Sequence, residues 1–203
     1  MKNNSFVKFF RSDMWLFLLM LISALASLVA AFVLSVDAIE LAKNPDAILS
    51  CDINAVLSCG TVAQQWQSSI LGFPNAFIGL ICEPVVITIA VAGLSGSKFN
   101  RWFMLTAQGV YFIGLSFALW LFYQSAFVIG AFCPWCLVVT VGTTITFFTL
   151  LKYNTQNRNF SKKSSISDES VRTIRHGMTF LEVSIIVIIA AVILIKYGSA
   201  LFA

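Results

Sequence analysis

Five apolar stretches dominate this chain and leave it few ways to fold. Met14–Val36 carries no charge, Ala76–Leu94 holds only Glu83, and Trp102–Phe122 again has none. Cys133–Leu151 is uncharged, and Leu181–Ile195 follows with Glu182 just inside it. A helix crosses the bilayer core with about 20 mostly apolar residues, within a range of about 17–25. The first four stretches meet that length. The fifth is shorter and relies on Lys196 and Tyr197 reaching the interface. Only 11% of the residues are charged and the mean hydropathy is +0.88, against about 25% charged in an ordinary soluble domain. Lipid must cover most of such a surface, so the expected fold is an all-α integral membrane protein. Lys2, Lys8 and Arg11 ahead of the first stretch would also suit a signal peptide. That stretch exceeds the usual apolar region of about 7–15 residues, however, and no clear small-residue cleavage site follows it. Five retained spans are expected.

Charge orients the spans. Lys2, Lys8 and Arg11 precede the first, Lys98 and Arg101 lie between the second and third, and Lys152, Arg158, Lys162, Lys163, Arg172 and Arg175 lie between the fourth and fifth. These segments hold eleven of the thirteen basic residues and fall on one side of a five-span topology. The loop 37–75 on the other side sets Asp37, Glu40, Asp46 and Asp52 against Lys43 alone. The positive-inside rule then places the N-terminus in the cytoplasm and the C-terminus outside. The formal net charge of +4 is small and does not argue for nucleic acid. The segment 152–180 reads as a solvated, basic cytoplasmic linker whose charge the positive-inside bias explains, although anionic lipid head groups would also attract it.

With that topology, four of the five cysteines lie on the outer, oxidising side, where disulfides persist. Cys51 and Cys59 fall in the loop 37–75 and Cys133 and Cys136 at the outer end of the fourth span; Cys82 sits within the second. The Cys133-Pro134-Trp135-Cys136 sequence is a C-x-x-C motif opening a helix. There the free N–H groups and the dipole stabilise a thiolate, and proline suits the first helical position. Cys133 is expected as the cap, with Cys136 one turn into the bilayer, so that one sulfur meets the aqueous loop and the other a lipid-soluble acceptor.

Plainer readings compete. A structural Cys133–Cys136 disulfide would close a ring too small to restrain much of the unfolded chain. A zinc site would ordinarily show two C-x-x-C knuckles, and His176, the single histidine, is on the other side. Inert thiols fit an oxidising compartment poorly. Cys51 and Cys59, in a polar loop that reads as flexible, would serve equally as a loop-stabilising disulfide or as a shuttle. The second pair on the same face favours the shuttle. Thr61–Leu71 reads as a short amphipathic surface helix, with Val62, Trp66, Ser69 and Ile70 on one side and Gln64, Gln65 and Gln67 over the rest. Such a segment suits the membrane interface; a disordered tether is the alternative. Gly72-Phe73-Pro74 ends it. Glu83 is costly to bury charged and is a functional candidate by default, possible work being proton supply. Cys82 reads most simply as an apolar filler.

Cys51…Cys59-Gly60-Thr61-Val62, Gly72-Phe73-Pro74-Asn75-Ala76-Phe77-Ile78-Gly79 and Cys133-Pro134-Trp135-Cys136 together resemble bacterial members of the vitamin K epoxide reductase family, over about residues 14–151. The resemblance implies a four-helix bundle around a quinone of the menaquinone, ubiquinone or vitamin K type, within residues 1–151, with residues 181–203 adding a fifth transmembrane helix. It implies that Cys51 exchanges with an outer partner, that Cys59 hands electrons to Cys133, and that Cys136 faces the quinone. Asn75, Phe77 and Gly79 would bind the ring. Asn75 would donate a hydrogen bond to a carbonyl, although it would equally cap the second helix, and Gly79 would leave space. No metal is implied.

Thr140 stands where animal members carry the tyrosine of a Thr-Tyr-Ala motif, a departure that bears on epoxide reduction and coumarin sensitivity. Many bacterial and plant members continue into a thioredoxin-like domain, whereas this sequence ends at Ala203, so the expected partner is a separate, DsbA-like thioredoxin-fold protein. The expected function is a thiol oxidase of the bacterial inner (plasma) membrane, with its cysteines on the periplasmic or extracellular face, supporting disulfide bond formation. A quinone or quinone-epoxide reductase whose useful product is the reduced quinone is the nearest alternative. A non-catalytic membrane scaffold with structural disulfides is the other.

Overall fold

The computed structural model describes residues 13–54, 56–160 and 167–201. Lys2, Lys8, Arg11, Lys162 and Lys163, which entered the orientation argument, lie outside the described residues. Among those described, five helices are long and apolar enough to cross a membrane. They are α1 (Asp13–Lys43), α3 (Ala76–Leu94), α4 (Arg101–Gln124), α5 (Pro134–Gln156) and α6 (Asp168–Leu201). The short α2 (Cys59–Ala63) lies between the first two, and a single π turn, Ser125–Ile129, continues α4. No strand forms among the described residues, only an isolated bridge between Leu57 and Phe132.

α1 is the centre of the bundle, packed along both α3 and α5, while α4 and α6 lie against α5. Small residues make the approach possible, as expected where lipid removes the hydrophobic drive between helices. A Cβ on Gly142 would meet Ser27 Oγ at 2.0 Å, and one on Gly79 would meet Ala31 Cβ at 2.7 Å. Polar side chains bond across the same seams: Ser23 and Thr146 hydroxyls lie 2.9 Å apart, and Asn154 donates to the Met104 carbonyl at 3.2 Å. Large apolar side chains such as Phe32, Ile113 and Ile195 are exposed on the outside of the bundle, where lipid would cover them.

The two ends differ as the sequence implies. Gln156 donates to Asp13, Arg175 to Gln156, and Arg101 to the Asn159 carbonyl, which gathers the described basic segments at one end. The cysteine loop occupies the other. Three boundaries change. α1 runs on to Lys43, so Asp37 and Glu40 stand on a helix rather than in the loop 37–75. The fifth helix begins at Asp168 rather than Leu181, which shortens the expected 152–180 linker from both sides. Lys152, expected in that linker, is instead buried in α5 and ion-paired with Glu182 of α6.

The expected surface helix Thr61–Leu71 also breaks, into α2 and a 3-10 turn at Trp66–Ser69. Gln65 is extended (φ −79°, ψ 148°). The Ser68 hydroxyl bonds the Ala63 and Gln65 carbonyls, a local alternative to the helical ladder. Trp66 is exposed, near Trp120, but Gln67 turns inward and is buried.

Candidate redox site

Backbone pairing brings the two cysteine segments together. Phe132 N–H donates to the Val56 carbonyl at 2.7 Å, and Ser58 N–H donates to the Phe132 carbonyl at 3.0 Å. Each of these residues immediately precedes, or nearly precedes, a cysteine. Cys59 Sγ and Cys133 Sγ consequently lie 3.1 Å apart. Cys59 is also bonded to Cys51 in a disulfide, with the Cα atoms 5.6 Å apart, while Cys133 and Cys136 are free thiols. The competing zinc reading needs four thiolates, and two of the four sulfurs are here bonded to each other.

The loop that reads as flexible is tightly bonded around one carboxylate. Asp52 accepts from Leu49 N–H at 2.8 Å, the Ser58 hydroxyl at 2.8 Å and Gly60 N–H at 2.9 Å. Burial alone would raise its pKa, but these bonds outweigh it and hold the carboxyl below its ordinary value. Ser58 in turn caps α2 through Thr61 N–H. Cys51 is only 5% exposed and Cys59 only 1%, so a bulky reactant reaches neither sulfur unless the loop moves.

Cys133 takes the expected cap position. Its Sγ accepts from Cys136 N–H at 3.4 Å, and Pro134 follows at the first helical position. A hydrogen bond from the Cys136 thiol does most to hold the Cys133 pKa below its ordinary value; burial opposes it, and the N–H groups of Cys136 and Trp135 assist.

Beneath the sulfurs lies a cavity of about 460 Å³, within the span of small-ligand pockets. Cys133 and Cys136 form part of its wall, with Thr140 one turn below, bonded to the Cys136 carbonyl. α3 contributes Asn75, Gly79, Cys82 and Glu83 to the same cavity, and α4 contributes Tyr111. Of the expected ring-binding residues, Phe77 does not line it and stacks on Phe73 instead, because its position on α3 points away from the Asn75–Gly79 face. Gly79 lines the cavity, but the space its missing Cβ leaves is taken by Ala31. Asn75 makes no side-chain cap bond. Its amide donates to the Gln67 carbonyl at 2.7 Å, and Asn75 Oδ1 and Gln67 Oε1 are buried without a partner among the described residues. Glu83 is 4% exposed and accepts from Tyr111 Oη at 3.2 Å; it lies about 12 Å below Asn75 by the helical rise.

A largely apolar cavity with a few convergent polar groups fits a planar ring with an apolar tail; the unsatisfied Asn75 Oδ1 and Gln67 Oε1 are acceptors and match the hydroxyls of a reduced ring rather than carbonyls. Gln67, Tyr111 and Asp37 are the residues that sequence reasoning did not select. Gln67 and Tyr111 enter the site only through tertiary contacts, and nothing in their local pattern marks them.

Comparison with curated proteins finds no match. The sequence profile of the vitamin K epoxide reductase family matches residues 18–151, which takes in α3, α4, the cysteine loop, both cysteine pairs and most of α1 and α5. A membrane-embedded bundle in which a loop disulfide meets a helix-capping C-x-x-C is therefore no isolated arrangement: the chain belongs to the vitamin K epoxide reductase family.

Proposed function

We infer from membership of the family that this protein is a membrane oxidoreductase of the quinone-linked disulfide type. We propose that it is a thiol oxidase, drawing electrons from a separate DsbA-like thioredoxin-fold protein and passing them through Cys51/Cys59 and Cys133/Cys136 to a quinone. The supporting observation is the 3.1 Å approach of Cys59 Sγ, part of the loop disulfide, to the free thiol of Cys133.

A partner thiolate attacks Cys51, the Cys51–Cys59 bond breaks, and Cys59 leaves as thiolate. The partner's second thiolate then displaces Cys51 and carries away the disulfide. Cys59 attacks Cys133 of an inner Cys133–Cys136 disulfide and Cys136 leaves as thiolate. Cys51 attacks Cys59, which restores the loop disulfide and frees Cys133. The result is the arrangement described here, with the outer pair oxidised and the inner pair reduced. When bound, a quinone supplies a two-electron, two-proton acceptor. Cys133 and Cys136 give up two electrons and two protons as their disulfide re-forms. Asn75 and Gln67 orient the ring from the cysteine end of the cavity, and Glu83, bonded to Tyr111, holds a proton at its deep end. Gly79 serves by keeping α1 against α3.

Most of the described basic residues cluster at the end remote from the cysteines, with Lys43 and Lys196 at the other. This supports a cytoplasmic basic end and cysteines on the periplasmic or extracellular face of a bacterial inner membrane. The test uses the purified protein, a reduced thioredoxin-fold partner and a soluble quinone analogue, with quinone reduction followed by absorbance. Wild type turns over, and Cys51→Ala, Cys59→Ala, Cys133→Ala and Cys136→Ala each abolish partner-driven turnover. Quinone reduction that survives all four substitutions rules the relay out.

A further inference from the structure

Among the described residues, Asp37 is the one carboxylate that touches a reacting sulfur. Its Oδ2 lies 3.6 Å from Cys51 Sγ, and its carboxylate and the Cys51 and Cys59 sulfurs all lie within 4.8 Å of one another. A disulfide sulfur carries no proton, so in this state the contact is not a hydrogen bond. It becomes one when the Cys51–Cys59 bond opens and Cys51 gains a proton.

The relay then makes a particular demand on Cys51. To close the loop disulfide again it must lose that proton and attack Cys59, since only the thiolate is the nucleophile. Bulk water reaches it poorly, because Cys51 is only 5% exposed. Asp52, the neighbouring acid, is occupied by donors from Leu49, Ser58 and Gly60. Asp37 has no such set, and it is held by α1 rather than by the loop, so it stays in place while the loop rearranges.

We infer that Asp37 is the catalytic base that removes the proton from the Cys51 thiol each time the loop disulfide re-forms, a role resting on the relay above. Cys51–SH and the Asp37 carboxylate become Cys51 thiolate and Asp37 carboxylic acid. The thiolate attacks Cys59 Sγ of the Cys59–Cys133 disulfide, the Cys51–Cys59 bond forms, the Cys59–Cys133 bond breaks, and Cys133 leaves as thiolate. No outside oxidant enters this step. The titratable groups facing Asp37 are Cys51 and Cys59, Asp52 of the loop and Cys133 at the cap of α5.

Full-length protein is reduced completely, mixed with a soluble quinone analogue, quenched in acid at intervals, and its disulfides are assigned by peptide mass spectrometry. In Asp37→Asn the inner Cys133–Cys136 disulfide forms no more slowly than in the wild type, since the Asp37 charge works against the Cys133 thiolate, while the Cys59–Cys133 species accumulates and loop closure slows about tenfold or more. Its closure rate then rises with pH toward the range of a free thiol, about 8.5, and Asp37→Glu restores most of the rate. Loop closure in Asp37→Asn at the wild-type rate and pH profile overturns the assignment, as does an equal loss of inner-disulfide formation. Failure of the wild type to form any inner disulfide with quinone instead removes the relay, and the base with it.

Discussion

Ser58 and Phe132 are joined by a backbone hydrogen bond of 3.0 Å, from the N–H of one to the carbonyl of the other. The residues preceding Cys59 and Cys133 are thus tied to each other, and the 3.1 Å sulfur contact follows from the main chain. In the Cys51→Ser/Cys136→Ser double variant, Cys59 and Cys133 should pair quantitatively under mild oxidation, as read by peptide mass spectrometry. The converse variant, Cys59→Ser/Cys133→Ser, should leave Cys51 and Cys136 mostly unpaired. Equal pairing in both variants would contradict the geometry.

Cys133 owes its lowered pKa first to the Cys136 thiol and then, against burial, to N–H donors at the start of α5. In the reduced protein its thiolate should appear, by ultraviolet absorbance, at lower pH than that of an ordinary cysteine. Cys136→Ala removes the largest stabilising contact and should move that midpoint upward, with the backbone donors leaving part of the effect in place. A midpoint unmoved by the substitution would show that the thiol hydrogen bond does not matter.

Asp52 organises the loop through its three donors, and hydrogen bonds to a charged group are worth about 1.5–3 kcal/mol each. Asp52→Ala should expose Cys51 and Cys59, giving faster reduction of the loop disulfide by a bulky phosphine. The folded pKa is lowered, so the stabilisation is fully present above the unfolded value of about 3.9 and is lost as pH falls through the lower folded value. Protease resistance of the loop should therefore hold at neutral pH and fail only in strong acid. Loss of resistance between pH 5 and 7 would point to another group.

Lys152 and Glu182 form a buried ion pair between α5 and α6. Removing one partner strands the other, a loss of about 3–5 kcal/mol, whereas replacing both with apolar residues is often neutral. Glu182→Ala should lower the melting temperature in detergent clearly, and Lys152→Met/Glu182→Leu should recover most of it. If the double variant melts as low as the single, the pair is doing more than offsetting its own burial.

The spans were legible because a charge-free run of twenty residues has no stable place but a bilayer, and the Cys133 cap was legible because Pro134 and the C-x-x-C spacing act locally. The approach of Cys59 to Cys133 was not legible from pattern; it came from family resemblance, since the Leu57–Phe132 bridge joins segments far apart in sequence. Lys152 was misplaced for the same reason. Its local setting reads as the start of a basic linker, and only Glu182 on another helix explains its burial. Gln67 looked like one polar residue among several until the chain broke at Gln65 and turned it inward.

The far end of α6 reaches back to this region: Tyr197 Oη donates to the Ala126 carbonyl at 2.9 Å, and its ring meets Phe132 edge-on at 5.1 Å. Together with the Ser58–Phe132 bond, this makes the outer rim a unit of its own, fastened crosswise rather than along the helices. Bilayers differ in thickness, and helices answer by tilting. Tilting reshapes a cavity walled by α1, α3, α4 and α5, but it carries Cys59 and Cys133 together. Lipid composition should thus act on the lower half of the electron path and spare the upper.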